Sequence, residues 1–189
     1  MNHYAIKTDQ NMYYVVQVKT GKEQKAIEDI LKNKPDNDPD FDVFAPYRKV
    51  NKKFHGEWKE VIERCFPGYI FVNTNNVKEL FKQLYFTPGF TRLLGREGDT
   101  DNFVPLDEDE SRMIDILYNK NTDHITEISN IEVHEGEIIR VLDGPLAGLE
   151  TQIKKVNLHK RTVLVEFVFC GRLVTAPIGI NIITNVINK

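Results

Sequence analysis

The sequence predicts an α+β protein, with an N-terminal ferredoxin-like α/β sandwich followed by a small C-terminal β-barrel. Three observations predict this. Over residues 13–118 the order of elements reads strand, helix, strands, helix, strand, helix. Residues 119–132 lose that rhythm, and Asn119-Lys120-Asn121-Thr122-Asp123-His124 is polar and unperiodic, so a linker is placed there. Beyond it, five short strands with a turn signal every ten or so residues fill the chain and leave no sizeable helix, the pattern of a small barrel. The boundaries that follow are 1–118, a linker at 119–132, and 133–189.

Residues 1–12 are polar and unpatterned, a loose leader. The YYVVQV run makes 13–19 a strand, because β-branched and aromatic side chains suit a pleated surface. Thr20 and Glu23 have the spacing of a capping box, opening a helix that turns Ala26, Ile27, Ile30 and Leu31 to one face and stops near Pro35. Residues 41–50 and 58–64 read as two strands joined through a basic tip, Lys52-Lys53-Phe54-His55-Gly56. After Pro67-Gly68 a strand runs to about Asn73. Asn76 with Glu79 caps a second helix that would bury Leu80, Phe81, Leu84 and Tyr85, and Pro88-Gly89 ends it. Residues 90–94 form a short strand closed by Gly95. Asp107 with Glu110 caps a third helix through Met113, Ile114 and Leu117. The C-terminal strands are expected at 137–142, 151–156, 162–169, 173–177 and 180–184.

Composition excludes several classes. The 189 residues carry a net charge of −3, which argues against a protein that coats nucleic acid as a whole. The distribution is uneven: residues 134–189 hold seven Lys/Arg against five Asp/Glu, leaving 18 against 23 before them. No apolar run approaches the ~18–20 residues that span a bilayer, and the N-terminus lacks a signal-peptide pattern, so the expectation is a cytoplasmic protein with no membrane partner. The two cysteines, Cys65 and Cys170, are far apart and without metal spacing, as expected of reduced thiols. No histidine spacing suggests a metal, and neither a nucleophile with an oriented base nor a glycine-rich phosphate loop is present. No cofactor and no enzymatic activity are expected.

The most informative run is Cys65-Phe66-Pro67-Gly68-Tyr69-Ile70-Phe71-Val72. Alternation along a strand gives Tyr69 and Phe71 one face and Ile70 and Val72 the other. The run by itself is compatible with two arrangements. In one, both faces are covered; in the other, Ile70 and Val72 face the core while the aromatic pair forms an outward protein-binding anchor.

The segments YYVVQVKTGKE, FPGYIFV, TPGF with RLLG after it, and VPLDEDE occur in the order of the N-terminal domain of NusG-type transcription elongation factors, which this chain resembles. EGEIIRVLDGPLAGLETQIKKVN followed by CGR resembles their C-terminal SH3-like KOW domain. The resemblance runs from about Tyr13 to Thr184. It implies that residues 1–118 bind RNA polymerase against the clamp helices of its largest subunit, bridge toward the other large subunit, and suppress pausing without making or breaking a bond. The positions matching the family's polymerase-facing patch are Tyr69 and Phe71, with Tyr13 and Phe66 at its edge. On that reading Tyr69 and Phe71 point outward.

Asp143-Gly144-Pro145 is expected to make a tight turn, and Thr151 stands where the family commonly has glycine. A second departure bears on partners. General members carry an exposed aromatic just before the Gly-Arg pair, used to bind Rho or a small ribosomal-subunit protein; here that position is Cys170. Alternation along Val163, Val165, Phe167 and Phe169 puts Phe169 on the buried face unless a bulge turns it out. Lys154, Lys155, His159, Lys160, Arg161 and Arg172 are expected to form one basic patch suited to RNA phosphates. With the terminal Ile178-Gly179-Ile180-Asn181-Ile182-Ile183, these features make the chain most similar to the specialised LoaP-type antiterminators, which implies recognition of a leader RNA hairpin. Arg48, Lys49, Lys52 and Lys53 on the first unit's hairpin are candidates for contact with upstream or non-template DNA. The competing readings are a general factor linking polymerase to Rho or the ribosome, and a ribosome-associated KOW protein. The latter leaves the FPGY strand unexplained.

Overall fold

The computed structural model describes residues 12–34, 38–93, 104–134 and 139–183. Most of the leader, the Pro35 stop, Gly95, and the ends of the strands expected at 137–142 and 180–184 fall outside these residues. The observed elements are β1 (Tyr13–Val18), α1 (Glu23–Lys32), β2 (Asp42–Phe44), β3 (Tyr47–Phe54), β4 (Glu57–Arg64), β5 (Tyr69–Asn73), α2 (Val77–Tyr85), β6 (Phe90–Leu93) and α3 (Glu108–Leu117). Then come β7 (Ile125–Thr126), β8 (Ser129–Val133), β9 (Ile139–Asp143), β10 (Ile153–Asn157), β11 (Thr162–Phe169) and β12 (Arg172–Ile182).

The first sheet has the order β2-β5-β1-β6, with β1 antiparallel to both neighbours. Its two faces bury different sets. Val16, Val18, Ile70 and Val72 pack with Ala26, Ile27 and Ile30 of α1 and with Leu80 and Leu84 of α2. Tyr13, Val15, Phe44 and Phe71 pack on the other side with Met113, Ile114 and Leu117 of α3. Helix faces are narrower than expected: Leu31, Phe81 and Tyr85 are exposed, lying beyond the stripe that reaches the sheet.

Two of the three expected caps form. The Asn76 side chain accepts the Glu79 N–H, and Asp107 and Glu110 make a reciprocal capping box. The Thr20–Glu23 box does not form: α1 starts from Lys22 without a side-chain cap. Glu23 is instead fully buried, accepting the Gly68 N–H at 2.7 Å and pairing with Arg64 at 2.9 Å. A long-range turn has captured the carboxylate. Gly68 itself sits at φ +86°, and a Cβ there would lie 2.9 Å from Thr20 Oγ1, so the Pro67-Gly68 turn admits no side chain.

The second sheet has the order β10-β11-β12-β8-β9, so the expected barrel is seen as a five-stranded sheet with β9 and β10 at its edges. The strands expected at 173–177 and 180–184 are one continuous strand, β12, pairing antiparallel with β11 and parallel with β8. The stretch 119–132 is also more structured than a linker. It holds a 3-10 turn at Lys120–Thr122, β7 pairing in parallel with β3, and most of β8. Long-range pairing supplies this order, and local periodicity carries no trace of it.

Candidate functional site

The FPGY strand places its side chains on the faces that alternation predicts, but not in the expected environment. Phe71 is 0% exposed, Tyr13 is buried, and Phe66 and Tyr69 are half-buried. The expectation of an outward, open Tyr69–Phe71 pair is therefore corrected. Phe44 stacks on Phe71 at 5.5 Å, and Tyr118, just past α3, sits 6.5 Å from it. The Tyr13 hydroxyl donates to Asp115 Oδ1 at 2.7 Å, which fixes Tyr13 beneath α3 rather than at the edge of a surface. The remaining cover comes from the second sheet. Phe169 lies parallel to Phe66 at 6.1 Å and 5.4 Å from Phe71. Strand β11 pairs in unbroken register through Phe169, so no bulge turns this ring outward and it is 8% exposed.

The two units are fastened at further points. Arg48 donates to the Pro177 carbonyl at 3.1 Å and Asn51 to Asn181 Oδ1 at 2.8 Å. Gly179 of β12 lies against β3 so closely that a Cβ would press on the Lys49 carbonyl and lie 3.2 Å from Val50 Cα. At the other end of the contact, the Gly171 N–H donates to Glu110 Oε1 at 3.4 Å.

Both thiols are free and sit in this contact region. Burial pushes the Cys65 thiol up, against the opposing pull of the Tyr118 hydroxyl, which donates to its sulfur at 2.9 Å, and of Arg48. Burial, together with the Glu110 charge, pushes Cys170 up to about 12. Neither is poised as a nucleophile at neutral pH. Among the described residues no group of three or more His, Cys, Asp or Glu could hold a metal, and no helix is long and apolar enough to cross a membrane.

The basic residues fall into different places than expected. Lys154 pairs with Glu166 at 2.8 Å, and Lys155 stands on β10 opposite Leu164. Arg172 pairs with Phe169 at the far end of β11 from Thr162, seven residues or roughly 23 Å away by strand rise, so it does not join the 159–161 turn. The single expected patch is thus divided. On the first unit, Lys49 pairs with Glu127 at 2.8 Å, while Arg48 and Lys52 share Glu63. The structure instead brings the tip of the β3–β4 hairpin and the β10–β11 turn to opposite sides of one open cleft of about 610 Å³. Its lining includes Lys52, Lys53, Trp58, His159 and Lys160. Arg161 lies over the Trp58 ring, 4.1 Å from its centroid. Sequence reasoning missed Trp58. The signal was available, since it is the only tryptophan in the chain and it sits beside a basic tip.

Comparison with known proteins agrees with this architecture. The NusG family model, described as transcription termination factor NusG, matches residues 11–115. The chain is 30% identical over 157 residues to the transcription termination/antitermination protein NusG of Lactococcus lactis, covering 82% of this chain and 83% of that protein. It is 24% identical over 172 residues to the protein of the same name from Helicobacter pylori, covering 89% and 93%. Among solved structures it is similar to one of Thermotoga maritima NusG concerned with domain interaction, with a TM-score of 0.54 and 20% identity over 89% of this chain and 92% of that one.

Proposed function

This chain belongs to the NusG family, and from that premise we propose that it is a transcription elongation and antitermination factor that binds RNA polymerase through Phe66, Tyr69 and Phe71. The partner surface is the clamp helices of the polymerase's largest subunit, with a bridge toward the other large subunit. Tyr13 backs this surface from beneath α3. Phe169 occupies the same surface here, so polymerase binding requires the second sheet to lift away. The contact of Phe169 with Phe66 and Phe71 carries this reading: these rings already bind an aromatic partner supplied from outside the first sheet. Large, rigid aromatic area of that kind is what interface hot spots are built from.

Tyr69→Ala and Phe66→Ala test it, because both side chains are only half-buried and their loss leaves the deeper packing in place. Each is expected to weaken retention on immobilised core polymerase about tenfold, a hot-spot loss of ~1.4 kcal/mol. Undiminished retention of both overturns the assignment.

Within that role, the inward Phe169 and the half-buried Cys170 support a specialised antiterminator acting on particular operons, with the C-terminal unit recognising leader RNA. No aromatic ring stands outward where a general factor would present one to Rho or the ribosome. One observation favours the general reading: Val168 and Leu173, paired across β11 and β12, are 50% and 67% exposed and offer a small apolar surface. Purified Rho decides between them. Capture of Rho by the full chain, lost in Leu173→Ser, supports the general factor, and absence of capture supports the specialised one.

A further inference from the structure

We propose that the cleft between the β3–β4 hairpin and the β10–β11 turn is a composite binding site for single-stranded nucleic acid, completed only when the two units are joined. Each unit supplies half of the chemistry. Lys52, Lys53 and Trp58 come from the first, and Lys160 and Arg161 from the second. Four cations line the cleft, Arg48, Lys52, Lys53 and Lys160, against one carboxylate, Glu63, which Arg48 and Lys52 already share. Lys53 and Lys160 have no ion-pair partner among the described residues, so their charge is available to an incoming anion.

The second component is aromatic. Trp58 is 37% exposed at the cleft and the Arg161 guanidinium lies over its ring. A basic groove combined with a stacking platform is how single strands are held, since every base has a π-face and every nucleotide a phosphate. The concave shape favours a single strand over a duplex, whose bases are already stacked and turned inward. The turn carrying Lys160 and Arg161 is rigid rather than a loose tip. The Lys160 N–H donates to Asn157 Oδ1 at 2.8 Å, Arg161 is held at φ +50°, and its carbonyl accepts the Ile180 N–H at 3.0 Å.

Because the site spans both units, a strand bound there favours the joined arrangement. By reciprocity it opposes release of the aromatic surface to polymerase. Only this consequence rests on the function proposed above. The site itself does not, and its test contains no polymerase.

The test uses the full chain and its single tryptophan as reporter, titrated with a twelve-nucleotide oligo(U) RNA and with oligo(dT) of the same length. The expected result is quenching of Trp58 fluorescence. About three contacted phosphates give a salt slope near −2, so affinity falls about 20-fold between 50 and 200 mM salt. Lys53→Gln and Lys160→Gln are each expected to weaken binding about fivefold, although they lie on different units. Gly179→Ala, which disturbs the seating of β12 on β3, should weaken it as well. Preference for oligo(U) identifies RNA as the ligand, and equal affinity identifies a site that takes either strand; both support the proposal. Absence of quenching at 50 mM salt overturns it. So does loss of binding in Lys160→Gln with none in Lys53→Gln, which would confine the ligand to the second sheet, or equal competition by a blunt duplex.

Discussion

The ring of Phe169 lies flat beside that of Phe66, centroids 6.1 Å apart and planes 9° apart, joining the end of β11 to the turn before β5. Phe169 also approaches Phe71, so the aromatic surface of the first unit is part of a core shared with the second. In this arrangement the C-terminal sheet makes that surface interior.

Gly179→Ala is expected to shift that position. The new methyl would collide with backbone atoms of β3 while suiting the strand it belongs to. A joined chain of this length has a radius of gyration of about 16 Å, and small-angle scattering should show the variant larger by several ångströms. Polymerase retention should rise in proportion to the open fraction. An unchanged radius would mean that the β12–β3 contact does not hold the units together.

Phe71→Ala and Tyr69→Ala should differ sharply in stability. Truncating the fully buried Phe71 costs about 3–5 kcal/mol, whereas half-buried Tyr69 should lose less than about half of that. Urea denaturation midpoints of the two variants check the ordering. Equal losses would contradict the difference in burial between Phe71 and Tyr69.

Glu23 should make stability depend on acid. Burial alone would raise its pKa, but hydrogen bonds from backbone N–H groups, Gly68 among them, and the Arg64 charge outweigh burial and hold it below the ordinary range. A folded pKa below the unfolded one means the carboxylate contributes stability above the usual glutamate range of about 4.3, and that contribution is lost as pH falls through the folded value. Glu23→Gln is expected to be less stable at pH 7 by ~1–3 kcal/mol, with the gap to the parent closing on acidification. A gap independent of pH would contradict the ionised state.

Cys170 reports on the same joint. With its thiol held at about 12 by burial and Glu110, it should react slowly with a disulfide reagent at pH 8. Gly179→Ala removes the neighbouring Glu110 when the units part, and Cys170 labelling, identified by mass spectrometry, should accelerate about tenfold or more. Cys65, tied to Tyr118 of its own unit, should remain slow in both.

Asp107→Ala should act only on α3. Losing the cap costs about 0.5–2 kcal/mol, and the radius of gyration should stay that of the parent. Expansion of the variant would show that α3 cannot weaken without freeing the C-terminal sheet.

What could be read from the chain follows the range of the forces involved. Strand faces were legible: Ile70 and Val72 against Phe71, and the inward Phe169, follow from alternation alone. So were the caps at Asn76 and Asp107, which are satisfied within four residues. Glu23 was misread because a carboxylate with capping spacing also reaches a turn 45 residues away, and the buried partner wins. The basic patch was misread because proximity in sequence does not say at which end of a strand a charge stands. Arg172 went to one end of β11 and Lys160 to the other.

The sequence by itself determined the division of strands into two faces and the caps at Asn76 and Asp107, carried by local spacing, and its ordered motifs such as FPGYIFV and VPLDEDE carried the family resemblance. Only the tertiary structure decided what each face meets. It covered Phe71, joined Lys53 to Lys160 across a cleft, and set Arg161 over Trp58. The physical reason is that burial and charge pairing depend on which surfaces approach one another, and periodicity along a single strand is silent about its partner.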